Sequence, residues 1–247
     1  MIAGGAVVLQ ARMSSRRLPG KTLALVDSRS ILEHCIERLR ASSGLPVIVA
    51  TTTRAEDDCV ERESMRLGVE VVRGPDEDVL ARFLMAVTRF SLTEVVRATA
   101  DNPAVDIDAP RRVLEIRRRS GADRVVEYGL PYGTAVEAVS ATSLTRCAEL
   151  TIDPYDREHV TSFLRRDPRF VAIPAIAPAP LCRPGLRLTV DTPDDLEWVR
   201  RVFDHAERLR GPGGAAGPVP LAALVAAADQ LTRAVPTGSG SGARDAR

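Results

Sequence analysis

Through the first hundred residues, short unbroken apolar runs alternate with longer stretches whose apolar positions recur every three to four residues. The runs "AVVLQA" (6–11), "PVIVATTT" (46–53), "VEVVRG" (69–74) and "EVVRATA" (94–100) predict strands buried on both faces, because a half-wet strand would alternate polar and apolar residues. Between them, Ile31, Leu32, Cys35, Ile36 and Leu39 make one helical stripe behind Ser30 and Glu33 in capping-box spacing. A more polar helix spans about 56–67 and stops at Gly68, and Val79, Leu80, Phe83, Val87 and Phe90 line one side of a third. Strand alternating with helix implies βαβ crossovers. The expected fold is α/β, a single Rossmann-like, doubly wound domain with a mostly parallel central sheet.

Beyond residue 123 the pattern loosens. "ADRVVEYGLPYGTAVEAVS" (122–140) reads as strands around glycine turns, a small β-rich insertion; "DPYDREHVTSFLRR" (153–166) reads as a helix start and "GLRLTVD" (185–191) as a late strand. Thr192 is the N-cap of a long helix with Pro193 at its first position. The folded domain is expected to cover 1–210, followed by a linker and short Ala-rich helix (211–235) and a disordered tail (236–247).

Composition narrows the function classes. With 247 residues, 45% of them hydrophobic, the chain can bury a full core, and a net charge of +1 excludes a globally basic nucleic-acid coat. Any anion site is therefore local, and no nucleic-acid partner is expected. Cys35, Cys59, Cys147 and Cys182 lack close pairing and the three histidines are scattered, so neither a disulfide framework nor a structural zinc site is suggested. No stretch reaches membrane-spanning length, which reads as a cytoplasmic protein without a membrane partner. The basic residues are 33 Arg and a single Lys, Lys21. A compact ammonium kept where guanidinium is the rule points to a site that a flat fork does not fit.

Lys21 closes the loop "QARMSSRRLPGK" (10–21), directly after the first predicted strand. Sites in doubly wound sheets gather at the carboxyl ends of strands, which places this loop, 51–53, Arg73 with "GPDED", and Asp101 along one edge. The loop lacks the G-x-G-x-x-G fingerprint, and it misses a P-loop because Ser15 replaces the first glycine and Pro19 removes a backbone donor. Side chains must then meet the negative charge. Arg12, Arg16, Arg17 and Lys21 together suit a triphosphate, so a nucleoside triphosphate fits best.

These residues resemble the signature of the cytidylyltransferases related to CMP-KDO synthetase, particularly the spore-coat polysaccharide type. The resemblance continues in order through "VATTTRAEDD", "RGPDEDVLARF", "VRATADNP", "PYDREHVT" and "RLTVDTPDDLE", from about residue 7 to 209. Arg16 departs from the family's Ser or Thr, Ala81 from a frequent Asp, and "GLPYGTAVEAVS" from an aspartate-containing segment. The resemblance implies a nucleotide-diphospho-sugar transferase fold and attack of an acceptor oxygen on the α-phosphate of CTP, releasing pyrophosphate. It implies that Arg12 and Lys21 are catalytic and hold the triphosphate with Arg16 and Arg17. Gln10, Ala11, Thr51, Thr52, Asp78 and Arg82 would border the cytidine, and Asp101 and Asp191, each expected at a strand end, would hold Mg2+. By pattern alone, Asp101 could equally start a turn with Asn102 and Pro103, and Asp191 could favour a helix dipole.

For the acceptor side, Glu137, Tyr155, Arg157, Glu158 and His159 are candidates. Against that, Asp156 could simply cap a helix and Glu137 could face solvent. The acceptor class stays open among a sugar acid, a sugar or polyol phosphate and a phosphonate. A glycosyltransferase using the "DID" at 106–108 is one alternative, a non-catalytic CTP-binding module another, and a homodimer is the expected assembly.

Overall fold

The computed structural model describes residues 4–211 and 216–233. The chain runs β1 (Gly4–Gln10), a small hairpin of β2 (Leu25–Val26) and β3 (Arg29–Ser30), then α1 (Ile31–Ser43), β4 (Val47–Thr52), α2 (Asp58–Arg66), β5 (Glu70–Gly74), α3 (Val79–Phe90) and β6 (Leu92–Thr99). Next come α4 (Ala109–Ser120), β7 (Arg124–Tyr128), β8 (Glu137–Ser140), α5 (Ala141–Leu150), α6 (Pro154–His159), α7 (Ser162–Arg166), β9 (Ala172–Ile176), α8 (Pro193–Arg210) and α9 (Leu221–Arg233). Seven strands form one sheet in the order β5-β4-β1-β6-β8-β7-β9. β8 is antiparallel to both its neighbours, while the other pairs are parallel. The α/β, doubly wound, mostly parallel expectation holds, and the β-rich stretch at 122–140 supplies β7 and β8 of this sheet.

Strand alternation explains the two cores. Val7, Leu9, Val47, Val49 and Val96 point to one face, packed with residues of α1, α4, α8 and α9. Ala6, Val8, Ile48, Ala50 and Val95 point to the other, covered by α3, α5 and α7. Because both faces are sealed, the strands must be apolar throughout, which is why they read as unbroken runs.

Three sequence expectations change. The segment 185–191 is not a strand: only Arg187 makes an isolated bridge, to Tyr132. Its backbone is satisfied by loops, with Tyr132 N donating to Leu186 O, Leu188 N to Tyr132 O and Val190 N to Asp101 O, each at 2.8 Å. Asp191 therefore sits in a crossing loop rather than at a strand end. Helix capping at 153–166 also differs: Asp153 is the N-cap, accepting from Tyr155 N, while Asp156 is buried and held by Thr151, Ser162 and Arg166. The helix breaks at Val160, whose φ is 59°, into α6 and α7.

The Ala-rich helix forms as α9 and buries Leu221, Leu224 and Val225 in the first core. Arg38, fully buried, donates to Val105 O at 2.7 Å and to Val219 O at 2.6 Å, fastening this segment to the domain. The expected tail at 236–247 lies outside the described residues.

Candidate active site

The loop after β1 folds back on itself at the carboxyl edge. Gly20, at φ 76°, donates to Met13 O at 3.1 Å, a left-handed turn that glycine adopts without strain. Thr22 Oγ1 donates to Arg12 O at 2.7 Å, and Met13 N donates to Asp57 Oδ1 at 2.6 Å. Asp57 is fully buried and also accepts from Thr52 Oγ1 at the end of β4. These contacts fix where the loop's cations stand.

Lys21 reaches across to the crossing loop. Its ammonium donates to Asp101 Oδ2 at 3.2 Å, to Asp191 Oδ1 at 2.8 Å and to Val190 O at 2.9 Å. Arg17 pairs with the same Asp191 oxygen at 3.2 Å, and Arg187 takes its other oxygen at 2.6 Å. Burial pushes the Asp191 carboxyl up, but Lys21, Arg187 and Arg17 outweigh it and hold the group below its ordinary value. Asp195 is held at about 2, chiefly by Arg187, against the opposing effect of burial. Arg12 lies 3.5 Å from Asp76 and 3.3 Å from Glu158. Arg16 is exposed and has no ion-pair partner among the described residues.

Beside the loop, buried polar atoms stand without hydrogen bonds, Asp76 Oδ1 having only its ion pair with Arg12. Gln10 Oε1, Ser14 Oγ, Thr51 Oγ1, Asp76 Oδ1 and Arg82 Nε and Nη2 are sealed from solvent yet make no hydrogen bond. Arg82 has no exposed surface, donates one amine to Asp76 O at 2.9 Å, and is pushed below its ordinary pKa first by burial and then by Arg12. Buried groups of this kind are costly unless something satisfies them. Ala11 donates its backbone N–H to Ala50 O at 3.1 Å, joining β1 to β4 here.

The remaining candidates divide. Asp78 caps α3 by accepting from Ala81 N at 2.8 Å and also binds Arg157 Nε at 2.9 Å, so both are occupied with each other and the fold. Glu137 does not face solvent: Arg97 at 2.8 Å, and Arg124 and Thr161 at 2.6 Å, surround it. Burial raises the Glu137 carboxyl, and Arg97 and Arg124 more than reverse that. Tyr155 and His159 are exposed with ring centroids 4.2 Å apart, and Glu158 is exposed apart from its contact with Arg12. The "DID" acids do not make a site: Asp106 is buried and paired with Arg112, which also takes Glu127.

Residues 6–210 match the model of the cytidylyltransferase family. The chain belongs to that family. A relative, the spore coat polysaccharide biosynthesis protein SpsF of Bacillus subtilis, is 30% identical over 81% of this chain and 86% of its own. A cytidylyltransferase structure from Leptospira borgpetersenii superposes with a TM-score of 0.82 at 23% identity, covering 95% of this chain and 98% of that one. CMP:2-keto-3-deoxy-manno-octonic acid synthetase, solved with CTP, superposes at 0.63 with 17% identity over 81% and 98%. The protein is thus a nucleotidyltransferase on the nucleotide-diphospho-sugar transferase fold.

Several residues of this cytidylyltransferase's edge were not singled out in the sequence. Asp57 braces the loop, yet its signal is only one of three acids in "RAEDD". Arg187 meets Asp191 through the course of a loop, where a spacing of four carries no signal, and Arg97 and Arg124 reach Glu137 only through strand pairing. Among the described residues no group of three or more His, Cys, Asp or Glu could hold a metal. Two carboxylates converging on one ammonium nonetheless fit a hard divalent cation, which takes one or two carboxylates and fills its octahedron with water and phosphate oxygens. No helix among the described residues is long and apolar enough to cross a membrane.

Proposed function

We propose that this cytidylyltransferase uses CTP to attach CMP to a small anionic or hydroxylated acceptor. An acceptor oxygen attacks the α-phosphorus, the bond to the bridging oxygen of the β-phosphate breaks, and pyrophosphate leaves. The observation that carries the reading is the meeting of the cationic loop with Asp101 and Asp191 around Lys21. Phosphoryl-type transfer asks mainly for positioning and charge neutralisation, and this edge supplies both signs. In this reading Arg12, Arg16, Arg17 and Lys21 hold the triphosphate. Gln10, Ala11, Thr51, Thr52 and Arg82 border the cytidine, whose polar edge would satisfy the unpartnered atoms of Gln10, Thr51 and Arg82. Asp78 orients Arg157 beside Tyr155, Glu158 and His159 on the acceptor side. Asp101 and Asp191 would hold Mg2+, which when bound neutralises charge on the phosphate oxygens. The relation to SpsF favours a saccharide acceptor of surface-polysaccharide synthesis.

The test is pyrophosphate release with Mg2+, each of the four nucleoside triphosphates, and a panel of sugar acids, sugar and polyol phosphates and phosphonates. Release confined to CTP and one acceptor class, lost in Lys21→Ala and Asp101→Ala, is expected. Absence of CTP binding would sink the reading.

A further inference from the structure

We propose that Lys21 is the resident counter-ion of the Asp101–Asp191 pair, holding the cation position until a triphosphate draws its ammonium away, so that nucleotide and divalent metal bind as a coupled pair. The proposal rests on the reading of this edge as a nucleotide and metal site and adds an order to its assembly.

Three observations carry it. First, the ammonium takes both carboxylates and a backbone carbonyl, within 3.2 Å of each, which uses its full set of three donors. A second cation cannot share that position. Second, the cluster is electrically closed. Lys21, Arg17 and Arg187 face Asp101, Asp191 and Asp195, three charges of each sign, so a bare divalent ion would add two positive charges to a neutral group. Third, the ammonium ends a loop that carries three more cations ahead of it, Arg12, Arg16 and Arg17, and Arg16 is exposed and has no ion-pair partner among the described residues. A triphosphate landing on Arg16 offers Lys21 and Arg17 a second set of anionic oxygens. Their departure leaves Asp101 and Asp191 with uncompensated charge, which the metal then meets. By linkage the metal must strengthen triphosphate binding by the same factor. A guanidinium at position 21 would present a planar fork instead of three diverging donors, consistent with the lysine kept in a chain of 33 arginines.

Because Lys21 is the sole lysine, protein grown with lysine labelled 13C at Cε and 15N at Nζ gives a single side-chain signal to follow. In the intact wild-type chain, Mg2+ without nucleotide is expected to leave that signal in place, CTP in EDTA to move it, and Mg2+ with CTP to move it further. A shift by Mg2+ alone at the concentration that suffices with CTP would overturn the proposal. In parallel, Mn2+ binding to nucleotide-free protein is read by electron paramagnetic resonance. Lys21→Met is expected to bind Mn2+ about 5- to 150-fold more tightly than wild type, the usual span of site coupling. The gain should vanish in Lys21→Met with Asp101→Asn. Equal or weaker Mn2+ binding by a folded Lys21→Met would also overturn it. Wild-type protein that fails to bind CTP at all would instead remove the functional reading, while the Mn2+ comparison would still decide whether Lys21 guards the carboxylates.

Discussion

Asp57 shows how much one side chain can arrange without touching a ligand. It has no exposed surface and accepts from Met13 N in the loop and from Thr52 Oγ1 at the end of β4, so it welds the loop to the sheet. Asp57→Ala leaves two buried donors unmet and is expected to cost about 2–4 kcal/mol in urea unfolding. It should also raise KM for the nucleotide more than it lowers kcat, because position rather than chemistry is disturbed. A second residue effect appears in acid. Asp156, pulled to about 2 chiefly by Arg166 with Ser162 and Thr151 assisting, binds its proton less readily folded than at its ordinary 3.8. Its contribution is fully present above that ordinary value and is lost as pH falls through about 2. Thermal melts across that window should show Asp156→Asn less acid-sensitive than wild type, though less stable at neutral pH.

Between elements, backbone conformation limits what each position tolerates. Val160 is a β-branched residue at φ 59° and is fully buried between α6 and α7. Val160→Ala keeps the strain and loses packing, about 1–2 kcal/mol by its lost methyl groups. Val160→Gly loses one buried carbon more, about 0.8 kcal/mol, but relieves strain of order 1–3 kcal/mol, so it should be the more stable variant, the reverse of the usual ranking. Denaturant midpoints of the two variants check this. Gly133, at φ 91°, lies where a Cβ would stand 2.6 Å from Thr189 N. Gly133→Ala must push back the loop that carries Asp191. We expect it to lose about 2 kcal/mol or more of stability and to weaken Mn2+ binding, whereas Gly121→Ala, whose Cβ meets nothing within 4 Å, should cost only the strain of its left-handed φ of 68° and leave Mn2+ binding unchanged.

At the scale of the whole molecule, residues 216–233 are part of the fold's support. Leu224 is fully buried in the core beneath α1, α4 and α8, and Leu224→Ala is expected to cost about 2–5 kcal/mol. Arg183 pairs with Asp229 at 3.3 Å, and Trp198 of α8 donates to Arg187 O at 3.1 Å, so α8 and α9 both brace the crossing loop. The variant should therefore lose activity at temperatures below its own unfolding midpoint, which parallel activity and circular dichroism melts would show.

The sheet, its helices and the cationic loop were legible from local pattern, because burial on two faces and helical periodicity are written into consecutive residues. That Lys21 and Asp101 lie along one edge of the sheet was legible too, since place after a strand is a sequence property. What only the tertiary structure decided is who faces whom. That 185–191 crosses as a loop, that Asp156 is buried instead of capping, and that Glu137 is locked between Arg97 and Arg124 all depend on strands paired far apart in the chain. Whether a charged side chain stays free for a ligand or is consumed by a neighbour depends on distances between elements, and no local spacing encodes those.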